Sequence, residues 1–514
     1  MTNRLYYGDN LDVLRQHIAD ESVDLIYLDP PFNSNASYNI LFKSPAGAGA
    51  DASIEAFDDS WSWGPSASEA LMDITASGNH KLHVLMQAMK TAIGENAMMA
   101  YLAMMAVRLQ ELHRVLKPTG SLYLHCDPTA SHYLKLVLDA VFSIDNFRSE
   151  IVWQRTSAKG DVKNKFGAIH DTIFFYAKSP STEMRSVFAA KDADYLGRFR
   201  LDAKDGKGPY RLAPLDSPNP RPNLTYEYKG YSPPAKGWRV SREVMEKLDE
   251  EGRLNFPSSP TGRISRKHYL SEQEGRKIGD VWTDIPPLQA VSQERLGYPT
   301  QKPRALLERI IAASSNPGDV VLDPFCGCGT AVDAAQKLGR GWIGIDITHL
   351  AIGLIEKRMN EGYNADGKRE ALWETIGSPR DLASAQRLAL DDPHQFQHWI
   401  TLKLGGYPWM GGKKGGDKGV DGYFYYVGDG GQTEHKLGLF VCAALPTKGM
   451  TEEAASHGLI ETDWGRFPAL QTFTLAELFQ DRAPKLPPLV SPNRKAPRVD
   501  TRASHQAGAQ DKLL

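Results

Sequence analysis

The spacing of apolar residues alternates between two patterns along much of the chain. Runs such as "VDLIYLD" at residues 23–29 are too short for a helix and are apolar on both faces, which is typical of a parallel strand covered by helices on both sides. Stretches with apolar residues at helical spacing accompany these runs, as over residues 97–116. This alternation predicts an α/β fold with a doubly wound sheet.

The same patterns place the individual elements. Predicted strands are "LYYGDN" ending at Asp9, "VDLIYLD", "GSLYLHCD", "RSEIVWQR", "DTIFFYAK", "DVVLD" and "GRGWIGIDI". Predicted helices are "LDVLRQHIAD", residues 97–116, "HYLKLVLDAVF", "KPRALLERIIAASS", Gly327 to Lys337 and "LAIGLIEKRM". Residues 44–75 are predicted to be an irregular surface insertion.

Breaks in the alternation predict the domain boundaries. Residues 1–360 form one domain, made of a first half at 1–179, an insert at 180–298 that is rich in proline, glycine and basic residues, and a second half at 299–360. A polar linker at 361–390 leads to a small α/β C-terminal domain at 391–487. Residues 488–514 lack apolar periodicity and are predicted to be disordered. A chain of 514 residues is too long for a single core.

Composition argues against several classes of protein. The formal net charge of −2 is unlike that of a uniformly basic nucleic-acid-binding protein, but it allows a local basic groove. The four cysteines lack metal-ligand spacing, so we expect reduced thiols and no bound metal. No run of about 20 apolar residues could span a membrane, and the start shows no charged leader before an apolar segment. We expect a cytoplasmic protein without a membrane partner.

A glycine-rich turn, "DVVLDPFCGCGTA" at residues 319–331, joins a predicted strand to a predicted helix. Gly327 and Gly329 would let a ligand approach the backbone closely. Asp346 ends the next strand, where a carboxylate can accept hydrogen bonds from ribose hydroxyls. The GxGxxG pattern of dinucleotide sites and the GxxxxGK[ST] pattern of P-loops are both absent. We therefore expect a nucleoside without a pyrophosphate, and S-adenosyl-L-methionine fits; a tight turn without a ligand is the alternative.

A second strand end has the sequence "DPPF", formed by Asp29, Pro30, Pro31 and Phe32. The two prolines stiffen the backbone and leave only carbonyl acceptors. A carboxylate and a carbonyl can accept both hydrogens of one amino group, while the phenyl ring stacks on the base that bears this group. Because open α/β sheets bind ligands at the carboxyl ends of their strands, both strand ends should face one crevice. The alternative is a proline turn that only closes a strand.

In the order of these motifs, the sequence resembles the β group of DNA amino-methyltransferases. The resemblance covers about residues 4–360 and rests on "GDNLDVL" at 8–14, "DPPFN" at 29–33, "LKPTGSLYLHCD" at 116–127, "EIVWQR" at 150–155, "YPTQKP" at 298–303, "DPFCGCGT" at 323–330 and "GIDI" at 344–347. It implies a Rossmann-like methyltransferase fold with S-adenosyl-L-methionine as cofactor. The residues that it implies as cofactor-binding are Asp9, Lys302, Asp323, Phe325, Gly327, Gly329, Thr330 and Asp346.

The resemblance implies an enzyme that methylates the amino group of a flipped base in double-stranded DNA. Asp29, Pro30, Pro31 and Phe32 would hold the target base, and Asp in place of Ser before Pro-Pro favours N6-adenine over N4-cytosine. Phe32 stands where tyrosine is commoner, and Cys328 stands where serine is usual. N4-cytosine methylation, methylation of RNA or of a protein glutamine, and a binding module without catalysis are the alternatives. A homodimer is left open.

The insert at 180–298 lies where this family has its target-recognition region. Arg263, Arg266 and Lys267 are the candidates for contacts with phosphates and base edges. "RTSAKGDVKNK" at 155–165 is a second basic stretch. A solvated charged loop is the alternative for each of them.

The C-terminal region resembles a degenerate restriction-endonuclease-like domain of the kind fused to such methylases. Asp421 and the "EHK" that begins at Glu434 are candidate metal ligands of a nuclease. However, "YFYYV" and "LGLFVCAAL" are predicted to pair as two strands joined by "GDGGQ". This pairing would place Asp421 opposite Leu439 and Phe440, roughly 13–16 Å from Glu434. We therefore predict that this domain does not cut DNA; a bifunctional restriction-modification enzyme with an active nuclease is the alternative.

Overall fold

The structure is a computed structural model of the chain. It describes residues 3–31, 37–41, 53–58, 62–157, 164, 166–259, 261–289, 292, 294–296, 298, 300–364, 372–408, 422–427, 433–434, 437–462, 464–480 and 482–489. The chain divides into two compact units. Unit 1 comprises Met1–Arg185 and Asp280–Leu514, and unit 2 comprises Ser186–Gly279. Unit 2 therefore lies wholly within the predicted insert at 180–298.

The described residues form strands and helices that we number in chain order. The strands are β1 Asn3–Tyr7, β2 Val23–Leu28, β3 Ser37–Leu41, β4 Ser53–Asp58, β5 Leu116–Cys126, β6 Phe147–Gln154, β7 His170–Ala177, β8 Phe188–Ala189, β9 Leu201–Asp202, β10 Pro209–Pro214, β11 Leu254–Asn255, β12 Ser265–Tyr269, β13 Arg276–Lys277, β14 Val281–Trp282, β15 Val320–Asp323, β16 Gly341–Asp346, β17 Trp373–Ile376, β18 Tyr407–Pro408, β19 Gly422–Tyr423, β20 Tyr426–Val427, β21 Thr433–Glu434, β22 Gly438–Cys442, β23 Leu459–Thr462, β24 Gly465–Pro468 and β25 Leu470–Thr474. The helices are α1 Asn10–His17, α2 Pro65–Ala76, α3 His80–Ile93, α4 Ala97–Val115, α5 Pro128–Phe142, α6 Ala193–Leu196, α7 Arg242–Glu250, α8 Arg304–Ser314, α9 Thr330–Lys337, α10 His349–Tyr363, α11 Leu382–Asp391, α12 Pro393–Lys403, α13 Lys448–Ser456 and α14 Leu475–Leu478.

Unit 1 is built on a nine-stranded sheet in the order β14-β6-β7-β5-β2-β15-β16-β1-β17. Neighbouring strands pair in parallel except where β7 is antiparallel to β5 and β6. Every strand predicted in the two halves of the domain is present in this sheet. The predicted α/β fold with a doubly wound sheet is therefore confirmed.

The sheet is covered on both faces, which explains the apolar runs. In β2, Ile26 and Leu28 belong to a buried core that also contains residues of α1 to α5. Leu25 and Tyr27 alternate with them and are also buried, so they point to the opposite face. On that face Tyr123 of β5 contacts α8 through a hydrogen bond between its hydroxyl and Ser314 Oγ (2.7 Å).

Several strands of unit 1 lead directly into helices through capping residues. Asp9 caps α1 by accepting from Leu11 N, Asp127 caps α5, and Thr348 caps α10. A capping side chain satisfies backbone N–H groups that have no partner within the helix. Polar residues therefore collect at the carboxyl edge of the sheet.

No described helix combines the length and the apolar character that a membrane span requires.

Four stretches differ from the sequence-based expectation. In the predicted insert at 180–298, β14 belongs to unit 1 and pairs with β6 at the edge of the main sheet. The predicted irregular insertion at 44–75 contains β4 and most of α2, and the apolar residues of α2 pack into the core of α1 to α5. The predicted linker at 361–390 contains β17, which pairs with β1 at the edge of the main sheet, and most of α11. The predicted pairing of "YFYYV" with "LGLFVCAAL" is wrong, because β20 pairs with β21 and β22 pairs in parallel with β25. Asp421 lies outside the described residues.

Candidate active site

The parallel strands of unit 1 end at one edge of the sheet, and a cavity of about 360 Å³ lies there. Strands that run in the same direction bring their carboxyl ends together, so the ends of β1, β2, β15 and β16 all reach this cavity. The predicted site residues that line it are Asp9, Asp29, Pro30, Pro31, Lys302, Asp323, Phe325, Gly327, Thr330 and Asp346. The two strand ends therefore face one crevice. Phe32 lies outside the described residues.

Gly327 and Gly329 form the turn between β15 and α9, and their backbone φ angles of 49° and 75° lie in the left-handed region. Gly327 lines the cavity, where an added Cβ would lie 3.2 Å from the Tyr298 ring. Gly329 is not among the lining residues; a Cβ there would lie 2.6 Å from Cγ1 of Ile355 in α10. Gly329 is therefore required by the turn and by packing against α10, whereas Gly327 can face a ligand.

Asp346 at the end of β16 is held by backbone and side-chain donors. Its Oδ2 accepts from Gly327 N at 2.9 Å, and its Oδ1 accepts from Thr348 N at 2.9 Å and from Thr348 Oγ1 at 2.8 Å. Burial raises the pKa of Asp346 to about 6, although these donors oppose the shift. The exposed Ile347 side chain lies next in the chain and also lines the cavity. A carboxylate beside an apolar side chain suits a ribose and the face of its base.

Asp29 follows the end of β2 and pairs with a residue predicted to contact the cofactor. Lys302 Nζ donates to Asp29 Oδ2 at 2.5 Å, and Lys302 is only 9% exposed, so water screens the pair weakly. Asp29 Oδ1 is buried and accepts no hydrogen bond from any described residue. Pro30 and Pro31 next to it have no N–H to donate. One carboxylate oxygen is therefore held in place, and the other is available to a donor on a ligand.

Arg108 in α4 belongs to the site and was missed from the sequence. Its Nη2 donates to both carboxylate oxygens of Asp9, at 2.7 and 3.0 Å, and its Nε donates to Asn10 Oδ1 at 2.5 Å. Asn10 Nδ2 in turn donates to the carbonyl of Pro324 at 2.8 Å. Burial lowers the pKa of Arg108, and the charge of Asp9 opposes this. The signal in the sequence was a single arginine within the apolar stretch "AMMAVRL".

The cavity has more acidic than basic groups. It is lined by the carboxyl groups of Asp9, Asp29, Asp323 and Asp346 and by the cations of Lys302 and Arg108. Burial, together with the charges of Asp29 and Asp346, raises the pKa of Asp323 well above its ordinary value. A ligand with positive charge on a sulfonium and on an amino nitrogen would offset this excess. The residues present therefore fit S-adenosyl-L-methionine.

The predicted DNA-binding residues lie in unit 2, whose main sheet has the order β11-β12-β10-β9. Arg266 and Lys267 are neighbours on β12, so their side chains point to opposite faces of this sheet. Lys267 Nζ donates to the carbonyl of Gly252 at 3.0 Å. The exposed Arg263 pairs with Asp216 at 3.1 Å. The three cations therefore do not form one continuous surface.

Comparison with known proteins identifies relatives of the chain. The chain is 34% identical over 265 residues to the type II methyltransferase M.EcaI of Enterobacter cloacae, a match that covers 51% of this chain and 58% of that protein. It is 26% identical over 348 residues to the Mod subunit of the type III restriction-modification enzyme StyLTI of Salmonella typhimurium, covering 65% of this chain and 50% of that protein. It is 26% identical over 395 residues to the DNA adenine methyltransferase YhdJ of Escherichia coli, a match that covers 76% of this chain and 93% of that protein.

The chain thus spans between half and three fifths of the length of the first two of these relatives. The model of a family described as DNA methylase matches residues 23–357, which is more than half of the chain and includes both strand ends of the cavity. S-adenosyl-L-methionine, the predicted cofactor, is the methyl donor of this family. The chain belongs to the DNA methylase family whose members modify the N6 or N4 amino group of a base.

Proposed function

We propose that the protein transfers a methyl group from S-adenosyl-L-methionine to the N6 amino group of a flipped adenine in double-stranded DNA. The observation that supports this most directly is the difference between the surroundings of the two carboxylate oxygens of Asp29. Oδ2 is held by Lys302, whereas Oδ1 is buried in the cavity wall and accepts from no described residue. A buried acceptor without a donor is costly, so a ligand that supplies an N–H is expected at this point.

The chemistry follows from the acceptors around Asp29. An exocyclic amino group is a poor nucleophile because its lone pair is delocalised into the ring. Asp29 Oδ1 and a carbonyl of the Pro30-Pro31 segment can accept its two hydrogens and favour a more tetrahedral nitrogen with an available lone pair. They also stabilise the positive charge that develops on this nitrogen as the new N–C bond forms. When bound, the cofactor supplies the methyl group, whose bond to the sulfonium sulfur breaks to leave a neutral thioether. The methylated nitrogen then loses one of its protons to solvent by way of the acceptor oxygens that bind it.

The choice of adenine rests on Asp29 itself, since Asp before Pro-Pro favours N6-adenine in the family that the sequence resembles. The similarity to YhdJ, a DNA adenine methyltransferase, supports the same choice. The test is to incubate the protein with labelled S-adenosyl-L-methionine and unmethylated DNA, to digest the DNA and to identify the labelled base. N6-methyladenine is the expected product. N4-methylcytosine as the sole product would refute the adenine assignment, and unlabelled DNA from every source tested would refute the methylase proposal.

We propose that unit 2, within the predicted recognition insert at 180–298, selects the target site. It is separate from the sheet that forms the cavity, and its basic residues include Arg263, Arg266 and Lys267. Replacing these three together by alanine should weaken DNA binding and flatten its dependence on salt, because fewer phosphates are neutralised. Because their side chains are dispersed, single replacements should each change the salt slope by no more than about one unit. An unchanged affinity and slope in the triple variant would contradict this role.

We propose that the C-terminal region does not cut DNA. Glu434 lies in β21, which is only two residues long and pairs with β20. Leu439 and Phe440 lie in β22, which pairs with β25, so the predicted hairpin and the separation of Asp421 from Glu434 derived from it no longer apply. Among the described residues, no three His, Cys, Asp or Glu side chains are grouped so that they could hold a metal ion. Metal-dependent cleavage of unmethylated DNA that is abolished by Asp421→Ala would show this proposal to be wrong. A homodimer and a cytoplasmic location stay predictions.

A further inference from the structure

A chain of four polar side chains, three of them buried, crosses four neighbouring strands near Asp29, Pro30 and Pro31, which together form what we call the acceptor side of the cavity. The hydroxyl of Tyr27 in β2 lies 2.9 Å from His125 Nδ1 in β5. His125 Nε2 lies 3.1 Å from Asp171 Oδ2 in β7. The other oxygen of Asp171 lies 3.1 Å from Nε of Arg155, which directly follows β6. The strands β2, β5, β7 and β6 are consecutive in the sheet.

Strand register places these side chains on one face of the sheet. Tyr27 is paired with Tyr123, which lies two residues before His125 on the same side of β5. His125 is paired with Ile173, which lies two residues after Asp171 on the same side of β7. The contacts are therefore built into the pairing of β2, β5 and β7 and do not depend on a loop.

This arrangement is unusual for the interior of a sheet. Tyr27, His125 and Asp171 are 2%, 0% and 1% exposed, and burying polar and charged groups costs free energy even when they are paired. Immediately beside them the same face is filled by the stacked rings of Tyr123 and Phe175, whose centroids lie 4.5 Å apart. Aromatic side chains can therefore pack on this face of the sheet, and the polar chain lies where this face meets the cavity. Of its members, Tyr27 lines the cavity.

The hydrogen-bond roles along the chain follow from Asp171. Burial raises the pKa of Asp171, but His125, Lys302 and Arg155 lower it below its ordinary value, so the group is a carboxylate that only accepts. His125 Nε2 must then donate to it. In the neutral imidazole Nδ1 is the acceptor, so the Tyr27 hydroxyl donates its proton to Nδ1. The Tyr27 oxygen keeps its lone pairs for another donor.

We propose that Tyr27 is a further hydrogen-bond acceptor on the acceptor side of the cavity, and that His125 and Asp171 are positioning residues that orient its hydroxyl. The ligand chemistry that such an oxygen recognises is an N–H of the target base. Because the amino group has only two hydrogens, the Tyr27 oxygen would share one of them with the carbonyl of the Pro30-Pro31 segment in a bifurcated hydrogen bond. The inference rests on the proposed transfer of a methyl group to DNA and is independent of whether the base is adenine or cytosine.

The test compares Tyr27→Phe, Asp171→Asn and the double variant with wild type. Tyr27→Phe removes only the hydroxyl. In Asp171→Asn the new amide can donate to His125 Nε2, so the imidazole proton moves to Nδ1. Nδ1 then donates to the Tyr27 oxygen and no longer accepts from its hydroxyl. Each single change should lower kcat about tenfold, which corresponds to one hydrogen bond in the transition state. The Kd for S-adenosyl-L-methionine should stay within about twofold.

The matched control is Tyr123→Phe, which removes a buried tyrosine hydroxyl from the same face of the sheet. Tyr123 is not among the lining residues of the cavity, and its hydroxyl bonds to Ser314 on α8. This variant should lower the midpoint of thermal unfolding and leave kcat within about twofold. Label incorporated into total DNA is counted, so the result does not depend on which base is modified.

The outcomes distinguish a Tyr27 hydroxyl that is oriented by His125 and Asp171 for the base from side chains that only stabilise the fold. A double variant that is no slower than Asp171→Asn alone would support the inference, because both changes then act through one hydroxyl. A Tyr27→Phe protein with the same kcat as Tyr123→Phe would overturn it, and so would losses that multiply to about a hundredfold in the double variant. A wild-type protein that labels no DNA would overturn the proposed function and this inference with it. If Asp171→Asn does not fold, the comparison of Tyr27→Phe with Tyr123→Phe decides alone.

Discussion

Asp29→Ala should slow methyl transfer by a factor of about 10²–10³ while leaving the affinity for S-adenosyl-L-methionine within a few-fold. The reason is that Asp29 Oδ1 contacts no described donor in the protein and is therefore available to the amino group in the transition state. Removing one preorganised group that stabilises developing charge costs about 2.7–4 kcal/mol, and this equals the stated factor in rate. In Asp29→Asn the single remaining oxygen would accept from Lys302, so the amide N–H₂ would replace Oδ1 and present donors to the amino group; its loss should therefore be no smaller than that of Asp29→Ala.

The same substitution also removes the partner of Lys302. Breaking a shielded ion pair and leaving one charge behind costs about 3–5 kcal/mol, although part of this cost is offset where water or another carboxylate can approach. Asp323 is such a carboxylate, because the charge of Lys302 lowers its pKa against the effect of burial. We therefore expect Asp29→Ala to lower the midpoint of thermal unfolding. Adding Lys302→Met removes the unpaired charge and should restore part of this midpoint without restoring methyl transfer.

Three measurements on each variant separate these effects. They are label transfer to unmethylated DNA under single-turnover conditions, titration calorimetry with S-adenosyl-L-methionine, and thermal unfolding. If Asp29→Ala kept more than about a tenth of the wild-type rate, Asp29 would not be the acceptor described here. If the double variant recovered its rate together with its stability, the loss in the single variant would come from the buried charge of Lys302.

Three further predictions concern the glycine turn after β15, Arg108 and Asp346. Gly329→Ala should lower the midpoint of thermal unfolding, because its φ of 75° is strained for alanine and its Cβ would lie 2.6 Å from an α10 side chain. The control is Gly449→Ala, whose added Cβ has no neighbouring atom within 4 Å and which should not lower the midpoint. Arg108→Met should weaken cofactor binding at least about tenfold in calorimetry, since Asp9 loses the charged nitrogen that donates to both of its oxygens. An unchanged Kd would contradict this. Because the pKa of Asp346 is raised to about 6, its contribution to stability is full below the ordinary pKa of 3.8 and is lost as pH rises through 6. If Asp346 binds the ribose hydroxyls of the cofactor, as the resemblance implies, these hydroxyls would donate to its ionised form. The affinity measured by calorimetry should then rise through pH 6, and Asp346→Asn should abolish this slope; a slope that the substitution leaves unchanged would contradict this role.

Local sequence patterns were sufficient to predict seven of the nine strands of the main sheet and the two strand ends, but not the edge strands β14 and β17. Strands such as β2 and β15 are short apolar runs bounded by Asp and Pro, and such runs are decided by burial on both faces. The glycine turn was predictable because a φ above zero is inexpensive only for glycine. The crevice followed from one general rule, that parallel strands present their carboxyl ends at a common edge.

Pairings between distant residues could not be predicted in the same way. Lys302 was expected to contact the cofactor, yet it pairs with Asp29, 273 residues earlier in the chain. The contact of Arg108 with Asp9 joins a helix to a strand end 99 residues away. The type of each residue was visible in the sequence, but its partner depends on which strands lie side by side. The wrong strand pairing that was predicted in the C-terminal region has the same cause, since β22 pairs with the distant β25 and not with the nearby β20.

The pairing of Asp29 with Lys302 also links folding to chemistry. Asp29 follows β2, in the half of the sheet domain that precedes unit 2 in the sequence, and Lys302 lies in the half that follows it. The two halves are joined where β2 pairs with β15, β1 with β16 and β6 with β14, and the ion pair joins them at the edge of the cavity. The acceptor carboxylate is therefore oriented only in the assembled sheet, in which the glycine turn after β15 is also in place. A chain that has not completed the sheet can present neither the oriented acceptor nor the site for the methyl donor.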